Sequence, residues 1–269
     1  DPDVRHPART YMRSINGIVQ EGLFYGIPEI GKPTEEKRRE QLLPLTRMAK
    51  KAGLKVLVMD FAKAPKTVDA ARRLSAKEKF VFFGSPTRGA DMTAIPTFPR
   101  RPYGESAISV VSLKSISNFL VIRDSSGFGR VDEFALKMHE NNFDLVVVDV
   151  FHKPGKPLSR QAVETLKFKK LGAKRLVFAY IDIASAASYA YFWKDHWREG
   201  SPRWIGAPVP GDPDRFFVRY WNPEWRKIIS GDTNSYVYGA IRQGFDGVIL
   251  DGMDNFRYFE GGLEALAQQ

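Results

Sequence analysis

The chain has 269 residues, a hydrophobic fraction of 43% and a formal net charge of +10. The absence of cysteine excludes disulfides, thiolate zinc sites and a Cys nucleophile. No run of about 18 apolar residues occurs, so no transmembrane helix is expected, and residues 1–14 are polar and basic without a signal-peptide pattern.

Residues 1–14 read as an irregular arm. Ile18–Tyr25 reads as a strand and its exit, with Glu21 inside it. A helix is predicted over Thr34–Ala52. Thr34 can cap it, Glu35 and Glu36 suit its positive end, and Gly53 stops it. Leu42, Leu45, Met48 and Ala49 supply its apolar face. Lys55–Phe61 is a buried strand carrying Asp60 at its end, Thr67–Ser75 a short helix and Lys79–Gly84 another strand.

Ser85 to Ser106, rich in Pro, Gly and Arg, has no periodicity and is the best candidate for a long loop or linker. Then come a strand over Asn118–Arg123, a helix over Arg130–Asn141 and a strand over Phe143–Phe151, with Asp149 near its end. A helix capped by Ser159 runs to Leu171, and a strand over Arg175–Ile183 ends near Asp182. Ser185–Trp197 reads as partly helical and Gly200–Asp214 as a Pro/Gly loop. Phe216–Trp221 reads as a strand, Pro223–Ile229 as a helix start and Asn234–Gln243 as helix. Gly247–Asp251 is a short buried strand between Gly247 and Gly252, followed by Asp254.

Short strands alternating with helices call for a parallel sheet covered by helices. The number of units fits a single-domain (β/α)8 barrel, with an open doubly wound sheet as the alternative. No GxGxxG or GxxxxGK[ST] follows a strand, which removes support for nucleotide-binding versions.

Asp60, Asp149, Asp182 and Asp251 each sit at the end of an apolar strand. In a barrel those ends meet on one face, where active sites are built. Clustered carboxylates repel and shift one another's pKa values, so packing alone gives a poor account of four. Two chemistries use them: a divalent-cation site with oxygen ligands, and glycoside hydrolysis with an acid and a nucleophile or base. The aromatic content of residues 180–225, from Tyr180 through Tyr220, Trp221 and Trp225, favours the second, because flat rings stack on sugar faces. Nucleic-acid grooves also join aromatics to basic residues. They do not call for converging carboxylates unless a metal is held, so no nucleic-acid partner is expected and a Mg²⁺-dependent phosphoryl or nucleic-acid enzyme is the weaker alternative. The four histidines (His6, His139, His152, His196) form no HxxxH or HxH pair, so no His-based metal centre is expected, and no cofactor is called for. The basic excess would suit a polyanion. Segments such as Glu35–Arg39 and Lys167–Arg175, where the charge is mixed with Glu or apolar residues, favour an ordinary solvated surface.

Three stretches carry a family resemblance: Tyr180-Ile-Asp-Ile-Ala-Ser-Ala-Ala-Ser-Tyr-Ala190, Tyr220-Trp-Asn-Pro-Glu-Trp225, and Gly244-Phe-Asp-Gly-Val-Ile-Leu-Asp-Gly-Met-Asp254. They resemble the endo-α-1,4-polygalactosaminidase-like group related to glycoside hydrolase family 114. The resemblance covers roughly residues 15–85 and 115–260. It implies a (β/α)8 barrel, a polysaccharide substrate containing amino sugars, and a secreted or cell-envelope location. Asp149 and Asp251 are the first catalytic pair, and Asp182, where the family has Ser, is a third candidate able to stand in for a lost glutamate. Tyr180, Tyr220, Trp221 and Asp254 are expected to bind substrate, and Glu21 and Asp60, on strands that should reach the same face, are second candidates. Two departures stand out. The family's Gly-Glu-Ala-Glu segment is here Ala184-Ser185-Ala186-Ala187, without either glutamate. The segments around Ile15–Tyr25 and Lys55–Phe61 resemble ones that follow the Gly-Phe-Asp-Gly strand in the family, which implies a circular permutation. The lost glutamates leave open a non-catalytic polysaccharide-binding relative.

Overall fold

The structure is a computed structural model and describes residues 9–266. The first part of the expected N-terminal arm lies outside the described residues, and its remainder is helix α1 (Arg9–Ser14). The chain divides into two compact units. Unit 1 comprises Asp1–Arg123, Met138–Val146 and Phe168–Leu176, and unit 2 comprises Asp124–Lys137, Val147–Lys167 and Val177–Gln269.

Unit 1 is built on β1 (Gly17–Glu21), α2 (Glu36–Lys51), β2 (Lys55–Phe61), α3 (Pro65–Lys77), β3 (Val81–Ser85) and β4 (Phe119–Ile122). β1, β2 and β3 form a parallel sheet with β2 central. Six of the seven β2 residues are buried, as expected of a continuous apolar run covered on both faces. Thr34 does not cap α2; its Oγ1 donates to Gly22 O at 2.8 Å, and the N-cap position falls to Glu35. Gly53 does end that helix: its φ of 90° reverses the chain, and its N–H bonds to Lys50 O. Of the expected apolar face of α2, Ala49 is buried and Leu42 packs against the core, whereas Leu45 and Met48 are exposed and Thr46 is buried.

The Pro-rich stretch after β3 is packed rather than a free linker. Tyr103 donates to Asp69 Oδ1 at 2.8 Å and lies under the Arg72 guanidinium, and Asn118 Nδ2 bonds to Tyr103 O. Lys169 anchors the end of the stretch. Its ammonium is fully buried and bonds to Asp144 Oδ1 at 2.6 Å, to Ser106 O and to Ile108 O.

Helix α4 (Val131–His139) and strand β5 (Leu145–Asp149) come next along the chain, followed in unit 2 by the small hairpin of β6 (Phe151–Lys153) and β7 (Lys156–Pro157) and by α5 (Arg160–Leu166). Ser159 caps α5 as predicted, its Oγ accepting from Ala162 N at 3.1 Å. β8 (Leu176–Asp182) follows, then β9 (Ser185–Ala187), β10 (Ile205–Val209), β11 (Asp212–Val218), α6 (Pro223–Ser230), α7 (Tyr236–Gln243), β12 (Gly247–Asp251) and α8 (Phe256–Leu266). β8 lies between β5 and β12 and pairs in parallel with β12, so the strand-end carboxylates of β8 and β12 come out side by side.

Two expectations in this region fail. Ser185–Trp197 is not helical: β9 pairs antiparallel with β11, and the remainder runs in turns. Gly200–Asp214 is not a loop: it holds β10 and the start of β11, joined through Pro210 and Gly211, with Gly211 at φ 80°. Both corrections have one cause. Pairing with a distant strand overrides a local pattern dominated by Pro, Gly and Ala. The core of this part is aromatic: Trp204 and Trp225 are almost fully buried, and Phe192, Trp193 and Trp197 pack against them. The architecture is therefore mixed α/β with parallel sheets. The described strands form sheets of two to four and not a closed eight-stranded barrel.

Candidate active site

The site is assembled at the ends of β5, β8 and β12. Register places Asp251 opposite Asp182 and Ile249 opposite Tyr180. Because side chains alternate along a strand, Tyr180 and Asp182 share a face, and the Tyr180 hydroxyl donates to Asp251 Oδ2. Directly after Asp251 the chain turns through Gly252 at φ 85°. A Cβ there would lie 2.2 Å from Asp182 Oδ1, so this approach of the two strand ends requires glycine.

Asp182 is surrounded by donors. Its Oδ1 accepts the backbone N–H groups of Ala184 and Ser185, both at 2.9 Å, and its Oδ2 accepts the Ser185 hydroxyl at 2.5 Å. The Arg215 guanidinium stands 3.7 Å from the same Oδ2.

Arg215 reaches the site from β11, where it lies opposite Ala187 of β9. It donates to Asp212 Oδ2 at 3.2 Å, to Ser185 Oγ at 3.3 Å and to the Tyr189 hydroxyl at 3.1 Å. Burial works against its charge. Attraction from Tyr189, Asp182, Asp149 and Asp212 outweighs burial and raises its pKa.

Asp149 closes β5, and its Oδ1 accepts the Phe151 N–H at 2.8 Å. Its charge is felt by two phenols. Burial pushes the Tyr189 hydroxyl up; Arg215 opposes the shift, and Asp149 and Asp212 add to it. Tyr236 is raised well above the ordinary phenol value, first by burial and then by Asp149. Together these groups line a pocket of about 350 Å³, its open mouth included, with Asp149, Asp182, Tyr180, Tyr189, Arg215 and Tyr236 on its walls.

The predicted site residues thus separate. Asp149, Asp182 and Tyr180 line the pocket, and Asp251 joins them through Tyr180. Asp254 is exposed in the turn after Gly252, and Tyr220 and Trp221 are exposed in another turn; none of the three lines the pocket. Glu21 and Asp60 belong to unit 1. Glu21 is exposed at the end of β1. Asp60 is fully buried, its Oδ1 accepting the Phe24 N–H at 3.0 Å, so it is closed to a substrate. Arg215, Ser185 and Tyr236 were not foreseen. The one legible signal was an arginine beside the apolar run Phe216-Phe217-Val218, since an arginine in an apolar strand must find partners. Among the described residues, no group of three or more His, Asp or Glu is arranged to hold a metal ion.

An uncharacterized protein of Methanocaldococcus jannaschii is 38% identical over 130 residues, which is 48% of this chain and 34% of that protein. An uncharacterized protein of Thermotoga maritima is 30% identical over 161 residues, covering 56% of this chain and 48% of the relative. One of Deinococcus radiodurans is 33% identical over 132 residues, covering 49% and 39%. The chain therefore spans between about a third and a half of the curated relatives it matches. The glycoside hydrolase domain of PelA from Pseudomonas aeruginosa is a distant structural likeness, with 23% identity, coverage of 55% of this chain and 51% of that one, and a TM-score of 0.34. The sequence profile of Glycoside-hydrolase family GH114 matches residues 134–269, a stretch that contains every residue of the pocket, and the chain belongs to that family.

Proposed function

We propose that the unit 2 pocket hydrolyses glycosidic bonds in an amino-sugar-containing polysaccharide, in the manner of an endo-α-1,4-polygalactosaminidase. The carrying observation is the gathering of Asp149, Asp182 and Tyr180 in one pocket, with Asp251 held by the Tyr180 hydroxyl. Asp149 and Asp251 form the working pair. One carboxyl protonates the glycosidic oxygen as the bond to the anomeric carbon breaks. The other attacks that carbon or activates the water that does, and one water is consumed per bond. A separation of roughly 5–5.5 Å in the substrate complex would give retention, and roughly 6.5–9.5 Å inversion.

Asp182 has a different role. Its oxygens already accept three hydrogen bonds, and Arg215 stands beside one of them. Those bonds commit its oxygens to the Ala184–Ser185 turn, whose Ser185 lines the pocket, so its role is to hold that wall in place. With one of the pair carrying the proton it will give, two carboxylates against one guanidinium still leave the cleft net negative, which suits the ammonium of a deacetylated amino sugar.

A second reading is a polysaccharide-binding relative without turnover. Ser185 and Ala187 line the pocket at the positions where the resemblance has glutamates, and this observation favours it. Reducing-end release from amino-sugar polymers of defined acetylation separates the two. Hydrolysis by the parent, falling roughly 10²–10⁴-fold in both Asp149→Asn and Asp251→Asn, is the expected result. Polymer binding without release would replace it with the second reading.

A further inference from the structure

β11 ends at Val218 and α6 begins at Pro223. Between them the chain makes a tight turn closed by Asn222 N–H donating to Arg219 O at 2.8 Å. Central turn positions ordinarily go to Gly, Pro, Asn, Asp or Ser. Here they are Tyr220 and Trp221, which are 38% and 50% exposed.

The turn is fixed at both ends. Arg219 N–H bonds to Trp204 O at 2.9 Å, and Asn222 Oδ1 accepts Glu224 N–H at 2.8 Å as the cap of α6. The rings are braced from behind. Trp221 meets Tyr220 edge to face at 5.0 Å and Phe259 at 4.9 Å. Phe259 meets Tyr258 at 4.9 Å, and Tyr258 stacks on the buried Phe217 at 4.2 Å and 10°. A chain of ring contacts therefore runs from the core to two exposed aromatic surfaces of fixed orientation.

We propose that the Tyr220–Trp221 turn is a second carbohydrate site, separate from the pocket, on which pyranose rings of a polysaccharide stack. The assignment rests on the polysaccharide reading above but not on turnover. The C–H faces of a sugar match flat apolar rings, and the exposed Arg219 beside them can bond its hydroxyl groups, while Glu224 Oε2 is already taken by Trp204 Nε1 at 3.0 Å. A single-stranded nucleic acid would also stack, but it needs a cationic surface. Unit 2 holds 15 of the chain's 41 Lys and Arg against 17 of its 31 Asp and Glu.

The test is retardation of the full chain in native gels containing a soluble, partly N-acetylated galactosaminan, with sedimentation of the same samples. Trp221→Ala should weaken retardation about tenfold, a loss of the size expected when one stacked ring is removed. Trp221→Phe, which keeps a flat ring, should retain most of the binding and controls for folding. Asp149→Asn should leave retention by the turn in place, so failure of the hydrolase reading and failure of this one are told apart. Equal retardation of parent and Trp221→Ala, or no retardation of the parent, would overturn the proposal. A parent dimer that Trp221→Ala converts to monomer would overturn it too, making the turn an interface between copies.

Discussion

Replacing Asp60 with Asn should flatten the pH dependence of unit 1 stability. The carboxyl is fully buried, with Oδ1 bonded to Phe24 N–H and Oδ2 without a hydrogen-bond partner. Burial raises its pKa from 3.8 to about 7, against the opposing effect of the Phe24, Tyr25 and Leu23 amides. A carboxyl raised in the folded state binds its proton more tightly there than in the unfolded chain, so stability falls as pH climbs between the two values and levels off above the higher one. At about 1.4 kcal/mol per pKa unit the full effect is about 4 kcal/mol, of which about 2–3 kcal/mol falls between pH 5 and pH 8. Hydrogen exchange at the Phe24 amide reads this locally, and all five tryptophans lie in unit 2, so fluorescence is blind to it. The parent should lose protection from pH 5 to pH 8, after correction for intrinsic exchange. Asp60→Asn should lose much less and be the more protected of the two at pH 8. Equal slopes for the two proteins would refute the assignment of a protonated, buried Asp60.

Two further substitutions probe how each unit is held. Lys169→Met removes the buried cation facing Asp144 and the support of Ser106 O and Ile108 O. It should cost about 3–5 kcal/mol in urea unfolding followed by far-UV circular dichroism, because the buried Asp144 carboxylate keeps its Ser117 N–H bond but loses its ion-pair partner; a second change, Asp144→Leu, should return part of the loss. Gly252→Ala places a methyl group against Asp182 Oδ1 in a left-handed turn. The backbone alone costs about 1–2 kcal/mol of stability. Sugar binding at the pocket, measured by calorimetry, should fall by more than that, because the ends of β8 and β12 must part.

The strands that carry the site were legible because their local signals agree. β8 and β12 are apolar runs that stop at Asp182 and Asp251, and glycines bound the second. Local patterns are silent where a distant partner decides. Nothing near Ser185–Ala187 announces that β11 will pair with it, and the Pro/Gly content before Arg215 disguises a hairpin as a loop. That is why Arg215 was missed although it bonds or pairs with Asp182, Asp212, Ser185 and Tyr189. The strand-end carboxylates teach a related lesson. Sequence placed Asp60 and Asp149 alike, yet one is sealed under the Leu23–Tyr25 backbone and the other borders a pocket. Burial is a property of what packs over a strand end, and a strand's own residues do not encode it.

The net charge also changes meaning once the units are separated. The counts given for unit 2 leave 26 Lys and Arg and 14 Asp and Glu in unit 1. The whole cationic excess belongs to the unit without the pocket. The charges that act on the pocket's Tyr189, Arg215 and Tyr236 include Asp149, Asp182, Asp212 and Arg215, all of unit 2. There Arg215 is committed to Asp182, Asp212, Ser185 and Tyr189. A basic isoelectric point is therefore no argument for an anionic substrate. The groups that would meet a sugar are Asp149 and Asp251, and they favour a neutral or cationic one.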